Sequence, residues 1–335
     1  MRTGSGLALV LTAGIMNGSF TIPMKWTRDW SWENVWLLWA FFALMIFPIT
    51  SLFLTVPAFP KIYHEAGMGV LAVIAACGIG LGCCQVCFGL AVDLVGVALT
   101  FAIASGVAAA MGSVAPLFIF HRDRALTLSG AWVIGGVALV ACGVAFCAVA
   151  GRRREAALQI LRAGGKAEMV KGLGLAVASG ITAASMNIGF DFATNMIDLA
   201  KSSGTSRLWA TIVVWAPMFL FAAIPNVLYC LYLLRKHKTA ALFRRGGYEY
   251  VALSICMAAL WYGAIILYGL STTGLGRLGV VLGWPLLESV IVITASVLGL
   301  LAGEWQGSGR GPIRLQFQGV ALLIAAVFLF SAATL

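Results

Sequence analysis

Charged residues are scarce in this chain of 335 residues. It holds only 12 Asp and Glu and 22 Lys and Arg, so charged residues make up 10% of the sequence, against about 25% in soluble domains. Hydrophobic residues make up 61%. This composition excludes an ordinary soluble domain, and the apolar residues form runs long enough to cross a bilayer. The sequence therefore predicts an all-α integral membrane protein embedded in a lipid bilayer.

Two kinds of chemistry are missing from the sequence. No phosphate-binding G-x-x-x-x-G-K-[ST] loop occurs, so the chain does not itself hydrolyse ATP. The three histidines, His64, His121 and His237, lie far apart in the connections between apolar runs. Because a metalloenzyme needs clustered ligands, we expect that the protein is not an enzyme and that it binds neither a metal nor another cofactor.

The cysteines and the net charge also exclude some partners. All eight cysteines fall inside apolar runs, and no His lies near the Cys83, Cys84 and Cys87 group, so we expect them to pack as small hydrophobes. The formal net charge of +10 is confined to short connections, a pattern that indicates membrane orientation and not nucleic-acid binding.

Ten apolar runs predict ten transmembrane helices. In chain order these runs are Ser5–Pro23, Val35–Val56, Gly67–Leu90, Leu94–Phe120, Ser129–Ala150, Gly172–Phe192, Leu208–Leu234, Val251–Leu270, Leu278–Leu301 and Leu315–Leu335. An even number of spans puts both termini on one side. The connections on that side carry seven of the 22 Lys and Arg and the other side carries fifteen, so the positive-inside rule predicts that both termini are external.

A basic connection at 151–171 separates a first unit, 1–150, from a second, 172–335. The two units resemble each other weakly but in order: Gly6 through Gly14 and Ser19 align with Gly172 through Gly180 and Ser185, Phe88-Gly89-Leu90 aligns with Tyr268-Gly269-Leu270, and Gly130 aligns with Gly319. Each unit has five spans, so the copies have opposite orientations. The sequence thus predicts a 5+5 inverted repeat, as in many secondary transporters, with chance similarity between Gly- and Leu-rich helices as the alternative.

Glu288 is the carboxylate in the ninth apolar run. It lies ten residues after Leu278 and so roughly 15 Å deep in a hydrocarbon core that is ~30 Å thick. Such a group is costly there and points to a proton pathway, because burial favours its neutral form. Trp284 shares its helix face one turn earlier, and Pro285 predicts a kink beside the carboxylate. The alternative is a protonated Glu that only holds the bundle together.

Several motifs resemble known transporters. Ala115-Pro116-Leu117-Phe118 and Leu300-Leu301-Ala302-Gly303-Glu304 are similar to the drug/metabolite transporter superfamily. Within it, the chain resembles the bacterial L-rhamnose/proton symporter family in the following motifs: Ile22-Pro23-Met24-Lys25, Trp30-Ser31-Trp32-Glu33 with Trp36, Gln85 before Phe88-Gly89-Leu90, Leu260-Trp261-Tyr262, and Gly303-Glu304-Trp305 with Arg310 and Pro312. The resemblance implies a secondary transporter in the bacterial inner membrane that imports a neutral deoxy-sugar with a proton.

Polar residues inside the predicted helices are candidates for this work. Asn187 and Asp191 share one face of the sixth helix, and Asp191 is predicted to be a sugar-hydroxyl acceptor, a second protonation site or an interfacial charge. Asn17 and Gln85 carry amides that suit a sugar hydroxyl, with bonds between helices as the alternative. Lys25, at the predicted cytoplasmic end of the first helix, either snorkels or gates the inner exit, as the resemblance suggests.

Two aromatic residues lie too deep for an interfacial belt. Trp261 and Tyr262 fall near the centre of the eighth run. Sugar rings have apolar faces that stack on aromatic side chains, so these two residues and Trp284 fit a neutral sugar better than a metal ion or phosphate, with core packing as the competing interpretation. Two other functions stay open: a proton-coupled exporter of metabolites or drugs, and a membrane receptor that does not transport.

Overall fold

The computed structural model describes residues 3–158, 166–275 and 279–333. All regular structure in these ranges is helical, and ten helices there are long and apolar enough to cross a membrane. We label them α1 (Thr3–Ser19), α2 (Trp32–Thr55), α3 (Phe59–Val95), α4 (Val97–Phe120), α5 (Leu128–Ala157), α6 (Lys166–Phe192), α7 (Ile212–His237), α8 (Tyr248–Gly274), α9 (Gly279–Leu301) and α10 (Arg310–Ala333). The prediction of ten spans is confirmed, while Leu278 and Leu335, the outer ends of two predicted runs, lie outside the described residues.

Helix ends differ from the predicted runs where local geometry decides them. The third run was predicted to begin at Gly67, but α3 begins at Phe59 and contains a break at Gly67, whose φ is +80°. Glycine adopts this left-handed conformation without the clash that a Cβ atom would cause. A short helical segment therefore precedes the spanning part of α3. α2 contains one π-helical turn, Phe42–Ile46, between two α-helical segments.

The predicted connection at 151–171 is helical at both of its ends. α5 continues to Ala157, and α6 already begins at Lys166. Arg152, Arg153 and Arg154 therefore extend the last turns of α5, where positive charge is favourable at the C-terminal end of a helix. Residues 159–165, which include Arg162, lie outside the described residues.

The helices pack in a regular scheme. The most extensive contacts join α1 with α8 and α9, α6 with α3 and α4, α2 with α7 and α8, α3 with α7, α4 with α5 and α9, and α10 with α5 and α9. Small residues let several of these pairs approach closely, since a Cβ atom at Gly78 would collide with the backbone of Met218 and one at Gly143 with Leu323. α1, α3, α4, α6, α8 and α9 together surround the interior.

Candidate functional site

A cavity lies among these six inner helices. Its volume is about 220 Å³, far more than the ~10–15 Å³ that one water molecule needs, so it has room for a small solute. The residues that line it are Asn17, Phe20, Leu81, Cys84, Gln85, Phe88, Ala104, Ser105, Ala108, Ser179, Ala183, Met186, Trp261, Ile265, Trp284, Leu287, Glu288 and Ile291. Five of the residues singled out in the sequence are thus brought together: Asn17, Gln85, Trp261, Trp284 and Glu288.

Two polar groups in the cavity wall have unused bonding capacity. Glu288 makes no hydrogen bond or ion pair with any side chain or backbone group in the described part of the chain. The Oε1 atom of Gln85 is buried and also has no partner there. Buried polar groups are normally hydrogen-bonded, so an unpaired acceptor and an unpaired carboxyl in one cavity indicate a site for a ligand with hydroxyl groups.

Two indole rings form the apolar part of the wall. Trp284 is fixed by a hydrogen bond of 3.0 Å from its Nε1 atom to the carbonyl oxygen of Ala108. Trp261 packs edge-on against Trp39, with 5.3 Å between ring centroids, and against Phe219 at 5.1 Å. Both rings are therefore held rigidly beside the cavity and can present a flat apolar surface to a solute.

A buried hydrogen-bonded network lies next to Trp284, toward the ends of α6 and α8 on the face that carries the termini. The Tyr268 hydroxyl donates to Oδ1 of Asn187, whose amide nitrogen donates to the carbonyl oxygen of Gly112. Beside it, Phe190 and Trp215 stack with a centroid separation of 4.2 Å. Asn187 was predicted to bind the substrate, but it joins α4, α6 and α8 by hydrogen bonds and is not among the residues that line the cavity.

Two other predicted site residues also lie away from the cavity. The Tyr262 hydroxyl donates to Oγ of Ser51 at 2.8 Å, because Tyr262 is rotated about 100° from Trp261 around α8 and faces α2. Asp191 lies in the last turn of α6, and its Oδ2 atom is 3.1 Å from Nε2 of His121. Its side chain is only 8% exposed, so Asp191 lies nearly buried beside His121.

Lys25 belongs to an ion cluster on the opposite face. Its Nζ atom pairs with Oε1 of Glu304 in the α9–α10 connection. Arg154, at the end of α5, donates from Nε to the backbone oxygen of Glu304 at 2.6 Å and lies over the Trp305 ring. This cluster connects three segments of the chain that lie far apart in sequence.

Sequence reasoning missed several residues that the structure brings to these places. Ser105 and Ser179 line the cavity, and Ser179 donates to the backbone oxygen of Cys84 at 3.0 Å. Neither serine differs in sequence from the many serines that only bond within a helix. Tyr268 belongs to the aligned motif Tyr268-Gly269-Leu270, but the sequence does not show that its ring contacts the ring of Trp284.

Comparison with known proteins decides the family. The model of the L-rhamnose-proton symport protein (RhaT) family matches residues 5–333. The chain belongs to this family. Among L-rhamnose-proton symport proteins, it is similar to the L-rhamnose-proton symporter of Pectobacterium atrosepticum, with 28% identity over 318 residues that cover 92% of this chain and 91% of the relative. It is also similar to the L-rhamnose-proton symporter of Yersinia pestis (strain Pestoides F), with 25% identity over 331 residues that cover 96% and 95%. Membership places the chain among transporters and not among enzymes.

Proposed function

We propose that this chain imports L-rhamnose together with a proton across the bacterial inner membrane. The cavity carries this proposal, because it combines an unpaired carboxyl at Glu288, an unpaired acceptor at Gln85 and two fixed indole rings. Family membership supports the same sugar and the same coupling ion. An exporter of the same superfamily and a non-transporting receptor are the functions that the experiment below must exclude.

Sugar recognition is assigned to the residues that face the cavity. Gln85 accepts from a sugar hydroxyl through Oε1, and Asn17 both donates and accepts through its amide. Trp261 and Trp284 contact the apolar face of the ring and the methyl group of a deoxy-sugar. Asn187 and Tyr262 support this site from behind, since each binds a neighbouring helix and not the cavity.

Proton coupling is assigned to Glu288. A carboxyl group in a low-dielectric cavity without a cationic partner is most stable when it carries a proton or bonds to a ligand. Sugar and proton thus meet in one place. When Glu288 releases its proton to the cytoplasmic side, the resulting charge has no partner in the described residues, so the empty carrier returns with an unprotonated carboxylate that water in the cavity hydrates.

We also infer a 5+5 inverted repeat, which rests on two observations. First, the packing pairs of the helices repeat when each helix is replaced by its equivalent in the other unit, five helices away in the chain. The pair α1–α8 then corresponds to α6–α3, and the pair α1–α9 corresponds to α6–α4. Second, the close contacts correspond. Gly14 packs on Val290 and the Leu287 carbonyl. Gly180, which lies 166 positions after Gly14, packs on Val107 and the Ala104 carbonyl. Val107 and Ala104 lie 183 positions before Val290 and Leu287, respectively.

The same register relates the two sides of the cavity. With shifts of 166 for α1 and α6, 180 for α3 and α8, and 183 for α4 and α9, the lining residues form these pairs: Asn17 with Ala183, Phe20 with Met186, Leu81 with Trp261, Gln85 with Ile265, Ala104 with Leu287, Ser105 with Glu288, and Ala108 with Ile291. The cavity therefore surrounds the inferred pseudo-two-fold axis. Gly130 and Gly319 lie at different depths of α5 and α10, so that part of the predicted alignment gains no support.

Orientation and gating complete the proposal. The excess of Lys and Arg on the face opposite the termini supports external termini, so the network of Asn187 and Tyr268 closes the external side and Lys25 with Glu304 forms the cytoplasmic gate. A periplasm-specific reporter fused after Leu335 is expected to be active. An active fusion in the α5–α6 connection would reverse this orientation.

The deciding experiment uses purified protein in vesicles. Adding external L-rhamnose at equal internal and external pH should make the vesicle interior more acidic, because sugar and proton enter together. A receptor would bind rhamnose, seen as an increase in thermal stability, without any pH change. An exporter would instead remove a preloaded solute when a proton gradient is imposed, and rhamnose would produce no proton entry.

A further inference from the structure

His121 holds a position that the proposed symport mechanism does not yet use. It follows the last residue of α4, and its Nε2 atom lies 3.1 Å from Oδ2 of Asp191 in the last turn of α6. The two side chains are 17% and 8% exposed. The rings of Phe120 and Phe192, the neighbours of this pair in sequence, lie 6.3 Å apart. His121 is thus the more accessible member of a nearly buried pair.

The residue that pairs with Asp191 indicates whether the pair transfers protons or only holds α4 and α6 together. Arginine is the better residue for a permanent bond to a carboxylate. Arg122 is next to His121, but it donates from Nε to the backbone oxygen of Phe118 at 2.9 Å. The partner of Asp191 is therefore His121, and histidine is the side chain type that suits proton transfer near neutral pH.

The surroundings of the pair favour a bound positive charge. The C-terminal ends of α4 and α6 meet there, and the negative ends of helix dipoles attract cations. Among the described side chains, the charged and titratable groups on the elements around it are Arg122 and Asp123 in the same connection, Asp191 on α6, Tyr268 on α8 and Glu288 on α9.

A polar column leads from this pair toward the cavity. Asn187 lies one helical turn before Asp191 on the same face of α6 and accepts a hydrogen bond from Tyr268. The ring of Tyr268 is 6.0 Å from that of Trp284, which lines the cavity one turn before Glu288.

We propose that His121 and Asp191 form a proton-transfer pair through which protons from the aqueous phase on the side of the termini enter the transport cycle. The imidazole takes a proton from water at Nδ1, and the Nε2–H bond breaks as the Asp191 Oδ2–H bond forms, so the ring ends neutral in its other tautomer. When the side of the termini opens, Asp191 Oδ2–H gives up this proton to water that enters beside the polar column, and the Glu288 carboxylate in the cavity accepts it. This inference rests on the proposed proton-coupled uptake.

The test compares His121→Gln with His121→Arg and the control His64→Gln in vesicles. His64 is exposed on the same face, near the start of α3. Proton-driven rhamnose uptake is measured against the pH on the side of the termini, together with exchange of labelled for unlabelled rhamnose. We expect proton-driven uptake near neutral pH to fall about tenfold in both His121 variants, because neither Gln nor Arg can take up a proton and pass it on. Exchange of labelled for unlabelled rhamnose should persist. His64→Gln should match the parent.

The outcomes are separable. A His121→Gln variant with the pH profile of the parent would overturn the proton-transfer role. Full recovery by His121→Arg would do the same, because a permanent cation keeps an ion pair but cannot transfer a proton at these pH values. If the parent itself shows no proton entry with rhamnose, the proposed function fails, whatever the variants do.

Discussion

At the scale of single residues, the unpaired carboxyl of Glu288 is the feature with the largest consequences. A charged carboxylate is costly in a helix core, and no described cation faces this one. Its counterpart in the inferred repeat, Ser105, lines the same cavity and carries no charge. The two halves of the cavity thus differ in the group that a coupled transporter needs, so the coupling carboxyl of the cavity is assigned to the second half.

Replacing Glu288 by Gln should separate sugar movement from proton movement. The amide keeps the shape of the protonated acid but cannot release a proton. We expect exchange of labelled for unlabelled rhamnose to persist, while accumulation against a gradient is lost and rhamnose binding becomes independent of pH. Transport assays in vesicles and binding measured at several pH values check this. Proton-driven accumulation in the Gln variant would eliminate Glu288 as the sole coupling site.

Trp261 and Tyr262 should behave differently although they are neighbours. Trp261→Ala removes the apolar wall and should weaken rhamnose binding by about 1–3 kcal/mol, roughly a 5- to 150-fold rise in Kd. Tyr262→Phe removes only the hydrogen bond to Ser51 and should leave the Kd unchanged. Binding titrations on folded protein check both. Equal losses in the two variants would place Tyr262 back among the sugar contacts.

At the scale of helices, glycines determine how closely the inner helices approach. A Cβ atom at Gly180 would lie 2.5 Å from Cβ of Val107 and 2.6 Å from the Ala104 carbonyl oxygen, too close for real atoms. Gly174, on the same helix, has open space around its Cβ direction. The α4–α6 contact, which forms one side of the cavity, therefore depends on one of these glycines and not on the other.

This contrast gives a matched pair of variants. Gly180→Ala should lower the stability of the protein by about 1–3 kcal/mol, the usual cost of overpacking. Gly174→Ala should be neutral or stabilise by up to ~1 kcal/mol, because alanine is the better helix former. Thermal unfolding in detergent, monitored by a tag-independent signal, measures both. A stable Gly180→Ala variant would contradict the close packing inferred for α4 and α6.

At the scale of the whole molecule, we propose that the Asn187 network closes the cavity on the face of the termini and that the Lys25 cluster gates the opposite face. Lys25 and Glu304 are 279 positions apart in sequence, and their side chains are 48% and 38% exposed. Such a pair contributes little to stability because solvent screens it. It is well suited to forming and breaking as the transporter changes its access.

The rate at which Cys84, which lines the cavity, is alkylated from each face of the membrane measures to which side the cavity is open. In a variant with the other seven cysteines replaced, a polar maleimide should react faster from the Lys25 face than from the face of the termini, and rhamnose should slow the reaction. Lys25→Met should raise the rate by breaking the gate. The control Lys61→Met removes an exposed pair with Glu65 and should not change it. Faster labelling from the termini's side would reverse the assigned direction of closure.

The sequence by itself determined the ten spans, the family resemblance and the residue types of the cavity. Span prediction succeeds because a bilayer selects for the summed hydropathy of about 20 consecutive residues, which is a local property. Asn17, Gln85, Trp261, Trp284 and Glu288 could be selected because polar or large aromatic groups within such spans need a reason to be there. Their chemistry, although not their distances, was therefore readable in advance.

Only the tertiary structure decided which way each side chain faces. Neighbours on a helix differ by about 100° in direction, so Trp261 reaches the cavity while Tyr262 reaches Ser51. His121 meets Asp191 across 70 positions, and no local pattern in the sequence marks such a pairing. Helix rotation and crossing follow from the shapes of all contacting surfaces at once, and those shapes exist only when the chain is folded.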